Sequence, residues 1–223
     1  MSLILNIDTA LDAAGICLSK NGQALELAIQ KDQKGQAAWL HNSISVILQN
    51  NDIKPVQLEA VAVSIGPGSY TGLRVGLAAA KGLCYALNIP LITIGTLEMM
   101  ALAVKEEAIE WICPLIDARR MEVFTAIYDK TLQEKKSPHA LIVDKNSFDP
   151  LLSSHKILFC GNGHDKLKTL ITNNNAAFSD THSNASHLGI LSTLRFEQQE
   201  FASLAYTEPL YLKEFYSPDR KMI

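Results

Sequence analysis

What this sequence lacks narrows it first. It has no basic excess: 20 Lys and Arg stand against 23 Asp and Glu, a formal charge of −3. Unaided binding of nucleic acid draws most of its affinity from phosphate neutralisation, so this chain is not expected to grip RNA by itself. The short basic clusters, Arg119-Arg120, Lys166 with Lys168, and Arg220-Lys221, read as solvated surface. Cysteine is sparse, and Cys17, Cys84, Cys113 and Cys160 are dispersed with no CxxC pair. That spacing excludes a disulfide scaffold and the usual zinc and redox motifs, leaving buried thiols. No apolar run reaches membrane-spanning length, so no membrane partner is expected. The opening residues 1–8 meet an acid too soon for a signal peptide, and a cytoplasmic location is expected.

Metal-binding patterns are missing as well. His41, His139, His155, His164, His182 and His187 form neither His-Glu-x-x-His nor His-x-x-x-His, and no acid stands beside His182 or His187 at ligand spacing. Neither a metal nor a cofactor is expected. What remains is an ordinary globular composition, 48% apolar and 19% charged, in 223 residues. That length fits one domain or two small ones.

The pattern opens as an antiparallel meander. Residues 3–7 read as a buried strand ending in Asp8, residues 15–19 and 24–30 as two more, with Asn21-Gly22 supplying the positive φ of a tight hairpin. A helix follows over 36–50, with Ala37, Leu40, Ile44, Ile47 and Leu48 on one side. Trp39, Ser43 and Val46 widen its apolar surface. This fits a helix wedged between two elements of its own domain, and equally a helix with one edge free for a partner. A strand at 58–65, a helix at 73–87, a strand at 91–94 and a helix capped by Thr96 complete an α/β layer. The pattern then restarts: a strand at 111–116 ends in Asp117, and another runs over 121–128. A strand at 156–160, the turn Gly161-Asn162-Gly163 and a helix over 185–202 follow. Two units are expected, 1–104 and 105–223, the second reduced.

Between the strand at 58–65 and the next helix lies Gly66-Pro67-Gly68-Ser69-Tyr70-Thr71-Gly72-Leu73-Arg74. A glycine-rich turn at a helix N-terminus invites an anion. Leu73 stands where a P-loop needs lysine, and Thr71 where a dinucleotide fingerprint needs its third glycine. Gly72, Gly76, Ala80 and Cys84 then recur every fourth residue, so one helix face is nearly bare. Glycine inside a helix costs about 1 kcal/mol relative to alanine. Close approach of another helix would offset that, either the 36–50 helix or one from a second subunit.

The run from Gly66 through Val75-Gly76 to Ala80-Lys81-Gly82-Leu83 resembles the signature of the TsaB (YeaZ) family. Ile7-Asp8-Thr9, Ile116-Asp117-Ala118-Arg119-Arg120, Glu122-Val123-Phe124 and Pro209-Leu210-Tyr211-Leu212 are similar to its other blocks. The resemblance implies an actin-like ATPase (ASKHA) fold of two hairpin-led α/β subdomains. It implies a non-catalytic scaffold subunit in tRNA threonylcarbamoyladenosine biosynthesis. The implied partners are a related catalytic subunit, a small P-loop ATPase, tRNA through the complex, and a second copy of the chain when alone. Pairing through the N-terminal helices puts Trp39, Val46, Gly72, Arg74, Gly76, Ala80 and Leu83 at the expected interface. Gly35 stands where many members carry a histidine. The hairpins Asp8-Thr9-Ala10 and Asp117-Ala118-Arg119 lack the glycine that active relatives of this fold use at phosphates. Weak nucleotide candidates remain at Asp8, Thr9, Gly66, Gly68, Ser69, Gly161 and Gly163, which a nucleotide-dependent enzyme of the sugar-kinase type would use.

Overall fold

The computed structural model describes residues 2–31 and 35–213. Strands β1 (Leu3–Asp8), β2 (Ala14–Lys20) and β3 (Gln23–Gln30) form the meander, with Asn21 and Gly22 both left-handed at φ 51° and 78°. Helix α1 (Gln36–Asn50) starts at Gly35, whose φ of 77° suits glycine and whose missing side chain leaves the helix without a side-chain cap. Strand β4 (Ala60–Gly66), helix α2 (Tyr70–Leu87), strand β5 (Leu91–Gly95) and helix α3 (Thr96–Ala103) follow. The helix expected from residue 73 thus begins earlier, because Ser69 caps it by accepting from the Gly72 amide at 3.2 Å. Thr96 is the first residue of α3 rather than its cap, which is Gly95.

The second half repeats the first. Strands β6 (Trp111–Asp117), β7 (Glu122–Asp129) and β8 (Glu134–Ile142) form another meander, and β9 (Ile157–Cys160) and β10 (Ala176–Ser179) add to it in parallel. Short helices α4 (Asp149–Leu152) and α5 (Asp165–Lys168) lie between these strands, and α6 (Ala185–Glu197) comes last. The sheet orders are β3-β2-β1-β4-β5 and β10-β9-β6-β7-β8, the same arrangement written in opposite directions. Polar β8 and four-residue β10 carry too little apolar alternation to be read from sequence.

Alternation along β1 separates two cores. Leu5 and Ile7 face α1 and α2, meeting Leu40, Ile44, Ile47, Leu77 and Ala80. Ile4 faces the other way, onto Met99 of α3 and Leu188 and Leu191 of α6. Part of the chain after residue 104 thus packs on the first sheet. α6 packs on the first sheet, Ala202 donates to the Leu91 carbonyl at 2.8 Å, and Leu210 donates to the Ile65 carbonyl at 2.7 Å. The expected helix over 185–202 stops at 197 because the chain must extend to reach the β5 edge. α3 joins the halves, with Leu97 and Met100 packed on Ile112 and Ile116 of the second sheet. All four cysteines are buried free thiols, and burial pushes Cys17 and Cys84 up to about 11 and Cys113 to about 12. The tail at 214–223, including Arg220-Lys221, lies outside the described residues.

Candidate functional site

The glycine-rich segment meets the chain's own backbone. A Cβ on Gly68 would lie 2.2 Å from the Ala10 carbonyl oxygen, and one on Gly72 would lie 2.1 Å from that of Thr9. A Cβ on Gly76 would lie 2.2 Å from the Thr9 hydroxyl, which donates to the Gly72 carbonyl at 2.7 Å. The Ser69 amide donates to the Ala10 carbonyl at 2.7 Å. The turn after β1 thus occupies the space and the donor that an anion would use. Gly66, at φ 114°, makes room on its other side for Leu210, whose carbonyl oxygen would be 2.8 Å from an added Cβ. Here two separate signature blocks touch: Pro209-Leu210-Tyr211 crosses the glycine turn.

Of the residues expected at an interface, Gly72, Gly76 and Ala80 are buried within the chain, where Gly72 and Gly76 pack on the Thr9 turn. Fourfold spacing shows that a face is bare, but a strand-end turn satisfies it as well as a helix does. Trp39 and Leu83 are half-buried against the core, whereas Val46 and Arg74 are exposed. On the opposite face of α2, sequence reasoning named only Arg74. Arg74, Ala78, Gly82 and Ala86 recur at the same interval two residues out of phase, and all are exposed. Beside them, Tyr85 is 84% exposed. A Cβ on Gly82 would meet nothing within 4 Å.

The two halves enclose a cavity of about 440 Å³. Of the nucleotide candidates, Asp8 and Gly161 line it. Thr9 is fully buried, Gly66, Gly68 and Ser69 lie in the filled turn, and the Gly163 amide is taken by the Leu115 carbonyl. Asp8 accepts from the Ser64 hydroxyl at 2.7 Å and the Ala10 amide at 3.1 Å. Burial raises its carboxyl above the ordinary 3.8, with those two bonds opposing. In the second hairpin, Lys166 places its ammonium 2.7 Å from Asp117 and 3.0 Å from the Glu122 carbonyl. A lysine of the chain itself sits where a bound cation would be expected. His187 caps α6 through the Asn184 amide, and among the described residues no cluster of His, Cys, Asp or Glu could hold a metal.

The raised Asp8 carboxyl carries a signed prediction. The folded state keeps its proton at pH values where the unfolded chain has lost it, so stability falls as pH rises from 3.8 through the raised value. Asp8→Asn keeps the acceptor oxygen and removes that slope. Denaturant titrations should show the variant gaining on the wild type as pH rises above 3.8. A pH-independent difference would show that Asp8 is not desolvated as described.

Residues 30–214 match the family described as TsaD: tRNA N6-adenosine threonylcarbamoyltransferase, which is most of the chain. The chain belongs to this family. Within it, the chain is a TsaB (YeaZ) member. It is 34% identical over 125 residues to the tRNA threonylcarbamoyladenosine biosynthesis protein TsaB of Bacillus subtilis, covering 56% of this chain and 54% of that protein. The matched segment thus spans about half the length of that relative. The Buchnera aphidicola protein of the same name is 27% identical over 96% of this chain and 99% of its own. A Pseudomonas aeruginosa structure described as similar to peptidase YeaZ superposes with a TM-score of 0.84 at 23% identity, covering 96% of this chain and all of that one. The fold is that of the actin-like ATPases, as the duplicated sheets indicate. Among the described residues, no helix is long and apolar enough to cross a membrane.

Proposed function

We propose that this chain is a non-catalytic scaffold subunit in tRNA threonylcarbamoyladenosine biosynthesis. Its role is to hold a related catalytic subunit, which moves a threonylcarbamoyl group from its adenylate to N6 of the adenosine after the anticodon in ANN-reading tRNAs. A small P-loop ATPase and the tRNA join through the complex. The names of its relatives support the pathway, and the filled glycine turn at Thr9-Ala10 together with the Lys166 ammonium on Asp117 supports the lack of catalysis. A net charge of −3 supports leaving the tRNA to a partner.

The observation that carries the docking role is Gly82. It lies inside α2, exposed, with open space around it. A glycine there costs about 1 kcal/mol relative to alanine, and nothing among the described residues approaches closely enough to require it. A partner backbone approaching Ala78 and Gly82 closely would. The outer face of α2, beside which Tyr85 stands exposed, is the surface assigned to that contact. Gly82→Leu should therefore leave the monomer folded and weaken pairing with the catalytic subunit by roughly 30-fold or more. Size exclusion and a binding titration check it, and reconstituted tRNA modification should fall in parallel. Pairing at the wild-type affinity would remove this face from the interface.

A further inference from the structure

Arg74 stands on this outer face in a built setting. Its guanidinium carbon lies 4.0 Å from the centre of the Tyr70 ring, and its Nε donates to the Tyr211 hydroxyl at 2.9 Å. The two rings face each other with centroids 5.1 Å apart. Tyr211 reaches this position because Leu210 is fixed on β4 across Gly66. A residue remote in sequence therefore holds the arginine in one orientation. Its two terminal nitrogens, the planar fork that matches an oxyanion, have no acidic partner among the described residues.

The two helices of this face carry charge of one sign. α1 and α2 together contain Arg74 and Lys81 and no Asp or Glu, in a chain whose overall charge is −3. The outer helical face is thus basic on an acidic protein. A surface that docks here must bring carboxylate to avoid leaving the guanidinium desolvated and unpaired.

We propose that the docking partner presents an Asp or Glu side chain to Arg74, and that the C-terminal segment, through Tyr211, orients the arginine to receive it. The proposal rests on the docking reading above and adds the chemistry of the contact. A protein carboxylate is favoured over an RNA phosphate because two positive residues give too weak a field to collect a polyanion.

The test is a binding titration of the full chain against the purified catalytic subunit at about 50 and 300 mM salt, with melting curves for every variant. Arg74→Glu should weaken pairing on the order of 30-fold or more, and Arg74→Ala should also flatten its salt dependence. Arg74→Lys, which keeps charge without the planar fork, should lose about 10-fold, and Tyr211→Phe about threefold. A charge reversal at one acidic residue of the partner should restore binding to Arg74→Glu. If Arg74→Glu pairs normally while Gly82→Leu does not, the face is right and this contact is wrong. If both pair normally, the docking reading itself has failed. If Arg74→Glu pairs normally but the assembled complex loses tRNA affinity, the arginine serves phosphate and the proposal is overturned. Should Arg74→Glu melt early, the Arg74→Lys and Tyr211→Phe titrations decide, and wild-type affinity in both would overturn it.

Discussion

Gly76→Leu should cripple the fold, whereas Gly82→Leu, further along the same helix, should leave it intact. At Gly76 the first added carbon already falls 2.2 Å from the Thr9 hydroxyl and 3.5 Å from a Val63 methyl. Thr9 cannot simply turn away, because its hydroxyl donates to the Gly72 carbonyl and is fully buried. The helix must lift from the turn after β1, opening the contacts of Gly68 and Gly72 with it. Overpacking typically costs 1–3 kcal/mol, and the lost buried hydrogen bond brings the total to about 3 kcal/mol or more. In a chain this size that lowers the melting temperature by roughly 6–12 °C. At Gly82 the side chain enters solvent, and better helix propensity should raise stability by up to about 1 kcal/mol. Scanning fluorimetry on the two variants checks the contrast. A Gly76→Leu protein that melts like wild type yet fails to pair would return the bare face to the interface.

That contrast also marks what could be read from residues alone. The meander, the Asn21-Gly22 turn and α1 were legible because each rests on local chemistry: alternation, positive φ and helical spacing. Two similar beginnings were legible from apolar strands ending in Asp8 and Asp117, and the family resemblance implied the duplicated fold. The neighbour of a bare helix face was not, since the fourfold run at Gly72, Gly76 and Ala80 specifies closeness without saying to what. Thr9-Ala10 is more than sixty positions earlier, and no local pattern links it to Gly72. The return of α6 to the first sheet was hidden for the same reason. Its register is set by Leu188, Leu191 and Ser192, whose partners are at the other end of the chain. Tyr211 matched a signature block, but its role appears only when Arg74 is seen beneath it.

Asn6→Ala should be the other severe change, because Asn6 fastens α6 to the first sheet. The side chain is fully buried and fully used. Its amide nitrogen, with two N–H bonds, is shared among three acceptors, the carbonyls of Ile4 and Cys17, both at 3.1 Å, and the Ser19 hydroxyl at 2.8 Å. Its oxygen accepts from the Ser192 hydroxyl of α6 at 2.6 Å. Gly189, whose added Cβ would lie 3.1 Å from that of Ser19, lets the helix approach closely enough for this network. Removing the amide strands two hydroxyls and leaves a void. Each unsatisfied buried group costs about 1–3 kcal/mol, but Ser192 can still donate to the Gly189 carbonyl and Ser19 to that of Ile4. A net loss of about 2–4 kcal/mol follows. Adding Ser192→Ala and Ser19→Ala should recover part of it, since an apolar site asks nothing of its neighbours, and a mutant cycle by urea denaturation measures that coupling. Strict additivity would mean that the network is not cooperative. The same bolt reaches the proposed docking face, because α6 leads directly into the segment that bridges to Leu91 and ends on Arg74 through Tyr211. Asn6→Ala should therefore also weaken pairing with the catalytic subunit at temperatures where the monomer is still folded.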